Sequence, residues 1–128
     1  MSEEYHFLLI GVSPDDLWRQ VIEEALTSLG GLQIIGEEDV FKLIQWQDYD
    51  LIVIDAVKVE DAFLLTSSIR SQHPDAKVVI ATASPTWMRA REAFRVGAID
   101  YTRKSMNIEE TRSMLRATLV KAPPSRRR

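Results

Sequence analysis

Cysteine is absent from these 128 residues. That removes a disulfide framework, a thiolate zinc site and a cysteine nucleophile together. The two histidines, His6 and His73, stand far apart and without clustered acids, which argues against a histidine metal site. Apolar runs are short, well under the length that crosses a bilayer. The amino end lacks the basic, apolar, small-residue order of an export signal. These features predict a cytoplasmic protein with no membrane association. Positive charge is also in short supply, with 16 Lys and Arg against 19 Asp and Glu and a net charge of −3. Such a balance does not suit a nucleic-acid binder. The basic run Arg126-Arg127-Arg128, behind Pro123-Pro124-Ser125, reads as a solvated tail.

What the chain does have is globular composition, 45% apolar and 27% charged, and enough length for one buried core. Its centre is Tyr49-Asp50-Leu51-Ile52-Val53-Ile54-Asp55-Ala56. A continuous apolar run of this kind predicts a strand buried on both faces, as in a parallel sheet. Further strands are predicted at 7–12, 32–35, 77–81 and 98–101. Between them fall helical patterns at about 14–29, 38–47, 59–72, 84–96 and 107–121. Ser13 before Pro14 and Ser84 before Pro85 read as N-caps. Asn107 with Glu110 reads as a capping box. Gly30-Gly31 and Gly97 read as helix ends. Leu17, Val21 and Ala25 form one apolar stripe of the first helix, with Trp18, Ile22 and Leu29 beside it. Five strands alternating with five helices predict an α/β domain, a parallel sheet covered on both faces.

In that architecture the carboxyl ends of the strands share one edge, where ligand crevices form. Asp55, Thr82 and Lys104 each follow a different predicted strand. An acid, a hydroxyl and an ammonium would meet there. The acid can act as a nucleophile toward phosphorus, and the other two can hold phosphoryl oxygens. A phosphatase with an Asp-x-Asp pair is disfavoured because position 57 is Val57. A flavin site is disfavoured because the first loop offers Pro14 and two acids where phosphate needs free N–H groups.

With these residues in view, the chain resembles a response-regulator receiver domain across residues 6–121. The resemblance rests on Tyr-Asp-Leu-Ile-Val-Ile-Asp at 49–55, Val-Val-Ile-Ala-Thr-Ala at 78–83 and Gly-Ala-Ile-Asp-Tyr-Thr-Arg-Lys at 97–104. It implies a flavodoxin-like doubly wound (βα)5 sandwich with strand order 2-1-3-4-5. It implies a phosphorelay module, not an enzyme with turnover, in which Asp55 accepts phosphate from a histidine kinase. Thr82 and Lys104 would contact the phosphoryl group, and Tyr101 would be the switch aromatic. Residues 1–121 would form the receiver and 122–128 a Pro/Arg-rich tail.

Two departures qualify that picture. The family's acid pair after strand one is replaced by Gly11 and Val12, and Ser105 stands where proline usually follows the lysine. Mg²⁺ binding is therefore expected to be weak or absent, with Asp55 and the Val57 carbonyl as the remaining candidate ligands. Asp55 should instead pair directly with Lys104. Asp15 and Asp16 read as helix-capping acids that reach the site only if the first helical turn moves. If they are recruited, the alternative is a fully working phospho-acceptor. Output is expected through a protein partner, a histidine kinase or an effector, or through a homodimer. The expected face is the fourth helix, fifth strand and fifth helix, with Trp87, Arg91, Arg95, Asp100, Glu109, Arg112 and Arg116.

Overall fold

The structure, a computed structural model, describes residues 4–45 and 48–124. Strands β1 (Tyr5–Ile10), β2 (Gly30–Ile35), β3 (Leu51–Asp55), β4 (Val78–Thr82) and β5 (Asp100–Arg103) form one parallel sheet. Its order is β2-β1-β3-β4-β5, as the sequence implied. Every residue of β3 and β4 is buried, which is why their apolar runs do not alternate. Helices α1 (Leu17–Thr27) and α5 (Ile108–Val120) pack on one face with Phe7, Leu9, Val53 and Val79. Helices α2 (Val40–Ile44), α3 (Ala62–Gln72) and α4 (Trp87–Arg95) cover the other face over Leu8, Ile10, Ile54 and Ile80. Among the described residues no helix is long and apolar enough to cross a membrane.

Several boundaries differ from the sequence reading, each for a local reason. Ser13 does not cap α1. It closes its own turn, accepting the Asp15 N–H on Oγ and the Asp16 N–H on its carbonyl. The helix then starts at Leu17 under an Asp16 cap, whose Oδ1 accepts the Trp18 N–H at 2.9 Å. That shift leaves Leu17 exposed and turns Trp18, Ile22, Ala25 and Leu26 into the core. Likewise α4 is capped by Thr86 rather than Ser84, while the Ser84 N–H bonds Thr82 Oγ1. Strand one begins and ends two residues earlier than 7–12, and strand five runs two residues further along the chain than 98–101. The helix expected at 38–47 is a 3-10 turn (Glu37–Asp39) leading into α2. Its last two expected residues, Trp46 and Gln47, lie outside the described residues, as do residues 125–128 of the tail. The Asn107 cap holds, accepting the Glu110 N–H at 2.9 Å.

Glycine is used in two ways. Gly97 does close α4, with φ at +102°, a conformation that suits a residue without Cβ. Gly30 and Gly31 are not a helix end. They open β2 beside Tyr5 and His6. A Cβ on Gly30 would lie 2.2 Å from the Tyr5 carbonyl oxygen, whereas one on Gly31 meets nothing closer than 3.8 Å. Gly30→Ala should therefore destabilise the domain by about 1–3 kcal/mol, the usual range for overpacking. Gly31→Ala should be neutral or stabilise by up to roughly 1 kcal/mol through the unfolded chain. Urea denaturation of the two variants checks the contrast, and equal effects would contradict the close approach.

Candidate functional site

The parallel register brings the strand ends together. Asp55 pairs with Ala81, Thr82 pairs with Arg103, and the Lys104 N–H donates to the Thr82 carbonyl at 2.8 Å. The backbone alone thus sets Asp55, Thr82 and Lys104 around one point at the carboxyl edge. Asp55 is fully buried. Its Oδ1 accepts the Val57 N–H at 2.9 Å, and its Oδ2 accepts from Lys104 Nζ at 2.8 Å. The direct Asp55–Lys104 ion pair expected from the sequence is present. Both oxygens of the acid are occupied, as burial of a carboxylate requires.

Asp16 adds a group that the sequence reading placed elsewhere. Its Oδ1 caps α1, and its Oδ2 lies 3.1 Å from Lys104 Nζ. One carboxylate does both jobs without displacing the first helical turn, so the expectation that the cap and the site compete is corrected. Burial alone would raise the Asp16 carboxyl. The Trp18 N–H bond, then the Lys104 hydrogen bond and charge, then the Lys58 charge, outweigh it and hold the group below its ordinary value. Trp18 was also missed as a site residue. Its ring carries Lys104 Nζ 4.9 Å from the centroid, within cation–π range. Its signal in the sequence was its position, two residues past Asp16 on the first turn of the helix that follows β1.

A side chain at Gly11 would be crowded, and Val12 already lies in the core. Gly11 has φ of +86°, and a Cβ there would lie 2.8 Å from Val59 Cγ2. Val12 is buried in the α1–α5 core. Asp15 is exposed and contributes no hydrogen bond to Lys104. Thr82 is buried, with its hydroxyl accepting from Ser84. Tyr101 is half-buried against the α2–α4 core. Val57 presents its N–H to Asp55 and its side chain to solvent. Among the described residues every peptide bond is trans, including Lys104–Ser105, and no group of three or more acids or histidines could hold a metal.

On α4, Trp87, Met88 and Phe94 are exposed, with Arg91 and Arg95 among them. Arg95 pairs with Glu92 at 3.6 Å. Asp100 accepts the Tyr101 N–H. Glu109 and Arg116 are exposed on α5. Arg112 is tied to α1 instead, donating to Ser28 Oγ at 3.0 Å and pairing with Glu109.

Comparison with known proteins places this geometry. No family model matches the chain. The chain is 34% identical over 113 residues to the DNA-binding transcriptional regulator NtrC of Rhizobium meliloti, covering 85% of this chain and 23% of that protein. It is 31% identical over 112 residues to the NtrC of Proteus hauseri, covering 85% and 24%. The chain thus spans about a quarter of the length of these relatives. Among solved structures it is similar to a response regulator from Thermotoga maritima, with a TM-score of 0.82 at 18% identity over 93% of this chain and all of that one. It is also similar to the chemotaxis response regulator CheY4 of Vibrio cholerae, with a TM-score of 0.78 at 19% identity over 91% and 99%. The chain thus has the fold of response-regulator receiver domains, and over 85% of its length its sequence is similar to part of these transcriptional regulators.

Proposed function

We propose that this receiver is a two-component signalling module in which Asp55 is phosphorylated weakly or not at all, and whose output runs through protein contact. The observation that carries the reading is the closed state of Asp55. The acid is fully buried, with one oxygen on the Val57 N–H and the other on Lys104. A nucleophile must present a free lone pair to the phosphorus in line with the leaving group. Here each oxygen already accepts one hydrogen bond, which draws charge from its remaining lone pair, and Asp55 has no exposed surface through which a phosphodonor can reach it.

The receiver fold implies a magnesium ion beside the acceptor. The residues present do not fit one. Magnesium takes six oxygen ligands near 2.0–2.1 Å and is usually held by one or two carboxylates plus waters. The two carboxylates at this edge, Asp16 and Asp55, already bracket an ammonium, and Gly11 and Val12 supply no charge. The fully working acceptor remains the alternative, and the carboxylate of Asp16 at the site is what favours it. A cytoplasmic location and signalling by contact rather than by turnover go with either reading.

The surface offered for contact is α4. Trp87, Met88 and Phe94 put apolar area in water beside Arg91 and Arg95, a mixture suited to a modest protein interface. A histidine kinase, an effector or a second copy could take that face. Net charge speaks against nucleic acid as the direct partner of this domain.

Two measurements follow. Intact-mass spectrometry after incubation with Mg²⁺ and acetyl phosphate should find Asp55 acyl phosphate at substoichiometric level. Stoichiometric label, lost in Asp55→Asn, would move the assignment to the working acceptor. Arg91→Glu should weaken self-association or partner binding without changing the fold, whereas Arg112→Glu should act on stability through the α1–α5 seam. Sedimentation and thermal unfolding of both variants separate the two effects, and association unchanged by Arg91→Glu would reject the α4 face.

A further inference from the structure

We propose that a cleft at the amino edge of the sheet, at the other end of β3 from Asp55, is a binding site for a small organic cation, an amidine, guanidine or amine on a compact apolar body. The cleft measures about 320 Å³ and lies between the α2–β3 and α3–β4 connections. That volume falls within the range of small-molecule pockets. Its floor is the buried Ile44, Ile52 and Ile69, side chains from α2, β3 and α3. Tyr49 forms one wall, and its hydroxyl donates to Gln33 Oε1 at 2.8 Å, which fixes the angle of the ring. Another wall is the α3–β4 connection at Pro74 and Ala76, whose carbonyls both accept from Nη1 of the buried Arg70. Both walls are thus held by the protein's own hydrogen bonds, and the site is pre-formed.

The chemistry of the ligand follows from the charge at the rim. Asp48 and Asp75 line the cleft and are exposed. Among the described residues neither carboxylate takes part in an ion pair or a side-chain hydrogen bond, and no lysine or arginine lines the cleft. Arg70 stands behind the wall and directs its terminal nitrogens at the carbonyls of Pro74, Ala76 and Pro124. Asp48, His73 and Asp75 are not grouped to hold a metal, so the cation that fits is organic. A planar amidinium or guanidinium meets a carboxylate through paired N–H groups. The Tyr49 face attracts the same charge, and an apolar body displaces water from the isoleucine floor. The inference goes beyond the weak-acceptor reading and does not rest on it. Ile52 and Asp55 share one strand, so a ligand here would give the module an input that does not pass through the acceptor.

The test uses benzamidine as the probe and benzamide as its uncharged isostere, each titrated at low salt into the nitrogen-15-labelled full chain. Benzamidine should bind with a millimolar dissociation constant, as suits a fragment of this size, and should shift the amides of Tyr49, Gln72, His73 and Ala76. Benzamide should bind about tenfold more weakly, because it lacks the charge that meets the two carboxylates. Asp48→Asn and Asp75→Asn should each weaken benzamidine by about threefold, the range of exposed ion pairs, and together by about tenfold. No binding, equal binding of the two probes, equal binding by the wild type and the double variant, or shifts spread over acids outside the cleft would overturn the proposal. Arg126→Gln, Arg127→Gln and Arg128→Gln together should leave benzamidine binding unchanged. Tighter binding in that variant would give the cleft to the chain's own tail. A capped Gly-Gly-Arg-Gly-Gly peptide that bound about tenfold more tightly than benzamidine would give it to an arginine of a protein partner. Either result would overturn the assignment to a small molecule.

Discussion

A lysine ammonium lodged between two carboxylates sets the terms at the carboxyl edge of this sheet. The parallel strands leave Asp55 at the end of β3 with no water to solvate it, and a buried carboxylate needs a partner. Lys104 supplies the charge and the Val57 N–H supplies the second hydrogen bond. The same lysine draws in Asp16, so the start of α1 is fastened to the end of β5. Helix α1, the central strand and the last strand are therefore joined through one nitrogen.

Packing after β1 disfavours acids at Gly11 and Val12. At Gly11 the backbone is left-handed and Val59 fills the space that a side chain would need. At Val12 the side chain is part of the core. Restoring acids at both positions would strain the turn and unpack Val59, beyond adding charge. Asp16 brings a carboxylate to Lys104 from further along this loop, and the same residue caps α1. Its carboxyl is held below its ordinary value by that cap and by Lys104 against the opposing effect of burial. At neutral pH the acid is therefore charged and the bridge is closed.

The sheet was legible because β3 and β4 are buried on both faces and their apolar runs are unbroken. Asp55 and Thr82 were legible because each directly follows such a run, and Lys104 because it stands just beyond the last strand in Gly-Ala-Ile-Asp-Tyr-Thr-Arg-Lys at 97–104. Helix starts were less so. Ser13, Asp15 and Asp16 can all cap, and sequence does not say which one closes a separate turn first. Gly30 misled because glycine serves close approach as well as positive φ. Asp16 was read only as a conditional recruit and Trp18 was missed, because their partner lies at the far end of the chain, and only the folded register brings Lys104 to them. Trp18 followed a helical apolar stripe, which gives no hint that its ring also faces a charge.

The most direct measurement is nitrogen-15 NMR of the lysine side chains at neutral pH. Solvated ammonium protons exchange with water too fast to be seen. If Lys104 is held between Asp16 and Asp55 under the Trp18 ring, its NH₃⁺ group gives a resolved, slowly exchanging signal in the wild type, and Asp16→Asn broadens or removes it. A wild-type spectrum in which Lys104 behaves like the exposed lysines would contradict the account at its centre.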